Sequence, residues 1–304
     1  MALGYPCMNH TLRDREPPLR CNRGMQKETW NTRGLPYASE LTLQNFRDLR
    51  AILEWNHEHG ISFYRCTSDL VPWHSEYDLA DLPDYEEIRS IAQECGEFIQ
   101  TYGMRLTFHP SHWCKLASES ESTVDNSLQD LENHGEWVDL LGLDRSPYYS
   151  INIHIGAHYG DKAATADRFR SAVERLSPAV RKRLTVENDD KESLWSIPEL
   201  VEAVGEPLGV PIVFDYHHHQ FTSRGLSYRE AFEQAAGTWP TDVRPIAHYS
   251  EPARLHESSD AKPQAHSEFV RSIPDWLISN ADVMVEAGGK EQAVLALREY
   301  ASAT

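Results

Sequence analysis

Short apolar runs alternate along the chain with longer stretches whose apolar residues recur every three or four positions. The runs cover approximately residues 2–7, 61–66, 105–109, 149–155, 183–187, 210–215, 243–248 and 282–286, and their β-branched and aromatic content predicts eight strands. The stretch 42–58 sets Leu43, Phe46, Leu49, Ile52 and Leu53 on one helical face, and 84–101 does the same with Tyr85, Ile88, Ile91, Ala92 and Phe98. Further helices are predicted over 122–141, 164–176, 197–204, 227–235, 266–279 and 289–302. Eight strand and helix alternations favour a (β/α)8 TIM barrel over a doubly wound sheet. No break divides the chain, so a single domain over 1–304 is expected. The Pro17-Pro18 pair, the Asn31 to Pro36 stretch and the polar 250–265 segment read as long connections.

The strand-like runs share a second property. Thr107-Phe-His-Pro, Asn152-Ile-His-Ile, Thr185-Val-Glu-Asn, Phe214-Asp-Tyr-His-His, Ala247-His-Tyr-Ser and Val285-Glu-Ala all end in imidazole or carboxylate. A parallel barrel gathers such ends around one mouth, so the pattern predicts a metal site built one ligand per strand. A single strand-end histidine is more often a core residue than a ligand; the repetition carries the argument. The candidates are His109, His154, Glu187, Asp215, His248 and Glu286. Asp215-x-x-His218 adds an imidazole beyond the sixth strand, and His266, read as opening the next helix, could complete a neighbouring shell. Imidazole and carboxylate without thiolate suit Zn2+ or Mn2+, and Mg2+ less well. Hydrolytic sites use two or three such ions. Glu187, followed by Asn188-Asp189-Asp190, is placed to bridge two cations while its neighbours orient it; Asp189 and Asp190 read equally as helix-start residues. His217 and His219 read as supporting or surface residues.

Charge complicates the choice of substrate. A net charge of −18 opposes a polyanionic partner, yet residues 11–33 hold Arg13, Arg15, Arg20, Arg23, Lys27 and Arg33 against Asp14, Glu16 and Glu28. The five cysteines follow no metal or disulfide spacing, and no 18-residue apolar run occurs. A soluble intracellular protein is expected.

The motifs Gly4-Tyr5-Pro6-Cys7-x-Asn9, Gly60-Ile61-Ser62-Phe63-Tyr64-Arg65 leading to Ser68-Asp69-Leu70-Val71-Pro72, His109-Pro110, Val186-Glu187-Asn188-Asp189-Asp190, Asp215-x-x-His218 and Val283-Met284-Val285-Glu286-Ala287 resemble the UV damage endonuclease family nearly end to end. The resemblance implies a barrel related to endonuclease IV, in the xylose isomerase-like group. It also implies up to three divalent ions, often manganese, and nicking of duplex DNA 5′ to a photolesion to leave a 3′-hydroxyl and a 5′-phosphate. The implied metal ligands are His109, His154, Glu187, Asp215, His218, His248, His266 and Glu286, with Glu187 bridging. Damaged double-stranded DNA is the implied partner, met by Tyr5, Asn9, His112 and Trp113 at the lesion and by Arg13, Arg15 and Arg20 on phosphates. His74 is a candidate catalytic residue orienting the scissile phosphate. A monomer is expected, in the cytoplasm and on the nucleoid when acting.

Three departures from the family pattern involve four positions. His112 and Trp113 stand where many members have Gln and another aromatic, Ile246 where some have a lysine that assists the third ion, and Gly288 where a Lys follows Glu-Ala. Two rival readings are a sugar isomerase or epimerase on the same metal-binding barrel and a damage-binding protein without chemistry. The arginine-bearing loop suits a longer substrate than a sugar, and recognition alone needs no three cations.

Overall fold

The computed structural model describes residues 1–303. The strands β1 (Leu3–Pro6), β2 (Phe63–Cys66), β3 (Arg105–Phe108), β4 (Ile151–Ile153), β5 (Leu184–Glu187), β6 (Ile212–Asp215), β7 (Ile246–Tyr249) and β8 (Asp282–Val285) pair in sequence order, all parallel, and β8 closes on β1. This is the predicted (β/α)8 barrel. The helices between them are α1 (His10–Arg13), α2 (Lys27–Glu58), α3 (Tyr85–Thr101), α4 (Glu121–Leu140), α5 (Lys162–Glu174), α6 (Pro178–Arg181), α7 (Ile197–Leu200), α8 (Glu206–Leu208), α9 (Tyr216–Thr222), α10 (Tyr228–Ala236), α11 (Ala253–His256), α12 (Asp275–Asn280) and α13 (Lys290–Ala303).

Strand alternation sorts the side chains into two cores. Tyr64, Phe108, Ile153, Val186, Phe214 and Val285 belong to the large cluster shared with the helices. Phe63, Val213, Ile246 and Met284 form a second cluster with Trp239. Three of that second set stand two residues before a predicted ligand: Val213 before Asp215, Ile246 before His248, and Met284 before Glu286. A period of two places both members of each pair on the same face of the strand, so the apolar layer lies in the barrel one step below the mouth. Ile246 is 2% exposed in that layer, which makes it a packing residue.

Two sequence expectations are corrected. The Asn31 to Pro36 stretch is helical, lying within α2, which is broken at Gly34 (φ 55, ψ −150). Glycine tolerates that backbone, so Pro36 starts a second helical segment where no donor is needed. The helix expected over 266–279 is confined to Asp275–Asn280. His266 instead forms an isolated antiparallel bridge with Pro252, within a polar loop too poor in apolar periodicity to hold a helix.

Candidate metal centre

The ligands reach the mouth by the alternation just described. Glu187 and Asp215 end β5 and β6, His248 lies in β7, and His109, His154 and Glu286 directly follow β3, β4 and β8. Their atoms fall into two groups within 4.8 Å: His109, His154 and Glu187, and Glu187, Asp215, His248 and Glu286. Glu187 is common to both.

Glu187 is 1% exposed. Its Oε2 lies 3.5 Å from His109 Nε2, 3.6 Å from His154 Nε2 and 3.1 Å from His248 Nδ1, and its Oε1 lies 3.5 Å from His218 Nδ1. Two donors each roughly 2.1 Å from one ion at tetrahedral or octahedral angles stand about 3.0–3.5 Å apart. The spacings of His109, His154 and His248 fit that geometry. His248 Nδ1 is also 3.1 Å from Glu286 Oε1, without the alignment of a hydrogen bond to either carboxylate, and Asp215 Oδ2 is buried without a hydrogen-bond partner. Orphaned lone pairs converging on one volume are what divalent cations would satisfy. The residues fit the ions.

Electrostatics follow the same lines. Burial alone would raise the Glu187 carboxyl, but the imidazoles of His248, His154 and His109 hold it well below the usual carboxylate range. Glu286 is likewise lowered against its burial by Arg65 and His248. Burial pushes Asp215 up to about 7 and Asp189 up to about 7, and it depresses His154 to about 3. His218 is raised to about 9 against its burial by Asp215 and Glu187.

The pair implied for a third ion is arranged differently. The rings of His218 and His266 are 6.3 Å apart, and neither belongs to a group of three ligand atoms among the described residues. His218 opens from α9, whose N-cap is Asp215: the carboxylate accepts from His218 N at 2.7 Å, while His218 Nδ1 bonds to the Asn188 carbonyl at 2.9 Å. That leaves Nε2 as its ligating atom.

Comparison with known proteins gives this geometry its setting. The description UV-endonuclease UvdE matches residues 1–303. The chain belongs to that family. It is 35% identical over 309 residues to the UV-damage endonuclease of Schizosaccharomyces pombe, covering 98% of this chain and 50% of that protein. It is 29% identical over 301 residues to the putative UV-damage endonuclease of Acanthamoeba polyphaga mimivirus, covering 97% and 89%. The chain thus spans about half the length of its fungal relatives. The crystal structure of SacUVDE matches with a TM-score of 0.84 at 26% identity, covering 100% of this chain and 98% of that one. A D-psicose 3-epimerase from Clostridium cellulolyticum H10 shares the fold at TM-score 0.55 and 14% identity, covering 84% and 90%.

Of the residues expected on DNA, Trp113 is 76% exposed on the β3–α4 loop, its ring 4.6 Å from that of exposed His112. Two cavities meet at this loop. One of about 500 Å³ holds His109, His154 and His218; one of about 790 Å³ holds Trp73, His74 and Trp137; Ser111, Trp113 and Cys114 line both. Arg15 and Arg20 are exposed, and Arg13 pairs with Asp14 at 2.8 Å.

Three of the expected site residues are buried and have partners of their own. Tyr5 is 0% and Asn9 2% exposed. The Tyr5 hydroxyl donates to Asn56 and accepts from Asn9 Nδ2 at 2.9 Å, while Asn9 Oδ1 caps α1 through Leu12 N. Both brace the start of the arginine segment from inside. His74 lies outside both ligand groups, 6% exposed, its Nδ1 accepting from Trp137 Nε1 at 2.8 Å. It lines the larger cavity.

Two supporting residues escaped the sequence reading. Asn152 donates to Glu187 Oε2 at 2.5 Å, and its Oδ1 accepts from Thr185 at 2.9 Å. Arg65 of β2 pairs with Glu286 Oε1. Asn152 stands two residues before His154, so period-two alternation could have found it. The Arg65 pairing joins β2 to the end of β8, and nothing local signals it.

Proposed function

We propose that the chain is a divalent-metal-dependent DNA repair endonuclease that nicks duplex DNA 5′ to a photolesion, leaving a 3′-hydroxyl and a 5′-phosphate. The observation that carries this reading is the sharing of Glu187 between two ligand groups. Family membership supplies the DNA-directed chemistry, since epimerase-like barrels share only the architecture. His109 and His154 would hold one ion, Asp215, His248 and Glu286 another, with Glu187 between them. His218 and His266 would hold a third at lower occupancy, because no further ligand closes that pair. Manganese suits the mixed nitrogen and oxygen set, with zinc or magnesium as alternatives. Bound ions supply water activation and charge stabilisation for phosphodiester hydrolysis.

The chain's own groups orient those ligands. Asn152 fixes one Glu187 oxygen, Arg65 fixes Glu286, and the Asn188 carbonyl sets the His218 tautomer. Trp113 would stack on unpaired bases at the lesion beside His112, with Arg13, Arg15 and Arg20 on flanking phosphates. No helix among the described residues is long and apolar enough to cross a membrane. Action as a monomer in the cytoplasm, on the nucleoid, completes the proposal. A nicking assay on duplexes carrying a photodimer, an abasic site or no lesion, with Mn2+ or EDTA, tests it. Lesion-dependent nicking abolished by EDTA is expected; cleavage indifferent to either would sink it.

A further inference from the structure

Lysine is scarce in this chain, and of the two lysines lining the cavity that holds the candidate ligands, one is half-buried. Lys115 lines the same cavity of about 500 Å³ as His109, His154, His218 and Trp113. Its backbone is anchored to α4, with Lys115 N donating to Ser127 Oγ at 2.8 Å. Among the described residues its ammonium makes one hydrogen bond, to the Gly156 carbonyl at 3.3 Å, and no ion pair within 4.0 Å. Lys162 differs, being bound to Glu199 at 2.7 Å.

Gly156 makes room for this arrangement. Its φ is +64, and a Cβ there would come within 2.3 Å of Lys115 Nζ, so the ammonium occupies space that only glycine leaves free. The acids of the cavity are Asp189 and Asp190. Asp189 is engaged elsewhere, with Oδ1 3.5 Å from His154 Nδ1 and Oδ2 accepting from Trp195 N at 3.3 Å. Lys191, the other cation lining the cavity, is exposed. A half-buried ammonium with two N–H donors to spare, held on a fixed loop beside histidine ligands, is suited to an anionic oxygen.

We propose that Lys115 grips a backbone phosphate of the bound DNA next to the His109, His154 and Glu187 group. This rests on the endonuclease reading above. In a chain of net charge −18, one such contact adds a counterion-release step to those of the arginine segment.

The test uses the full chain with Mn2+, comparing wild type, Lys115→Met and Lys115→Arg for affinity toward a photodimer duplex across a salt series. Metal content and melting temperature are measured alongside. Lys115→Met should weaken binding about tenfold at low salt and flatten the log-affinity against log-salt slope by about 1, and Lys115→Arg should keep the wild-type slope. Metal content should stay unchanged in both. An unchanged slope in Lys115→Met, with wild type nicking normally, overturns the Lys115 assignment alone. Loss of metal or a lowered melting temperature overturns it in favour of a pin between loops. Wild type that neither binds nor nicks damaged duplex overturns the endonuclease reading as well.

Discussion

Four imidazole nitrogens stand within 3.6 Å of the two oxygens of Glu187. On the proposed function, the charge of this one carboxylate would hold two cations together. Glu187→Gln should therefore lower nicking at least 100-fold at saturating metal and reduce bound metal below two equivalents, with the protein still folded. A variant that keeps more than about a tenth of the rate would exclude a bridging role. Asp189 poses a subtler case. Its Oδ1 is 3.5 Å from His154 Nδ1, behind the ring nitrogen that faces Glu187, the arrangement by which a carboxylate orients a ligating imidazole. Asp189→Asn should weaken metal binding by roughly 10–100-fold without unfolding the protein, measured by competition with a chelating dye. Unaltered affinity would reduce Asp189 to a loop residue bonded to Trp195.

At the scale of elements, the β3–α4 loop lifts Trp113 to 76% exposure where the two cavities meet. An indole so placed removes little apolar area from water, so the fold does not account for it. A photodimer has already weakened stacking, and inserting an aromatic there costs less than in intact duplex. Trp113→Ala should weaken binding to damaged duplex about tenfold, from the ~1–3 kcal/mol of one lost base stack, and scarcely alter binding to undamaged duplex. Equal losses on both DNAs with a lowered melting temperature would show a loop plug instead. The arginine-bearing segment is also built from elsewhere: Glu291 of α13 accepts from His10 N at 2.8 Å, Thr11 N at 2.7 Å and Thr11 Oγ1 at 2.9 Å. The first and last segments of the barrel thus brace one another.

At the scale of the whole molecule, metal binding and proton binding compete. Asp215 and Asp189 have folded pKa values raised to about 7, above the ~3.9 of an unfolded chain, so their stability contribution is lost as pH rises through about 7 in the metal-free protein. His218, raised to about 9, stabilises below ~6.5 and loses that contribution as pH rises through about 9. Glu187 and Glu286 act oppositely, stabilising above ~4.3 and losing that contribution as pH falls. Cations must displace the protons on Asp215 and His218. Manganese should accordingly raise the melting temperature more at about pH 8 than at about pH 6, and apparent affinity should climb over that interval. A thermal shift that is flat or shrinks with pH would refute the protonated metal-free cluster.

The order of the strands, the closed barrel and the gathering of the candidate ligands were legible in the sequence, because each depends on a local period. Alternation of two along a strand and placement at its C-terminal end bring His109, His154, Glu187, Asp215, His248 and Glu286 to one mouth whatever the loops do. The tertiary structure decided what depends on contacts distant in sequence. Tyr5 and Asn9 lie inside because Asn56, 51 residues after Tyr5, receives the tyrosine hydroxyl. Arg65 meets Glu286 across 221 positions, and His266 is held by a bridge to Pro252 where a helix was expected. Motif and spacing record which residues are present at a strand end. Only the folded chain determines which of their atoms are already bonded, and therefore which remain free for a cation or a phosphate.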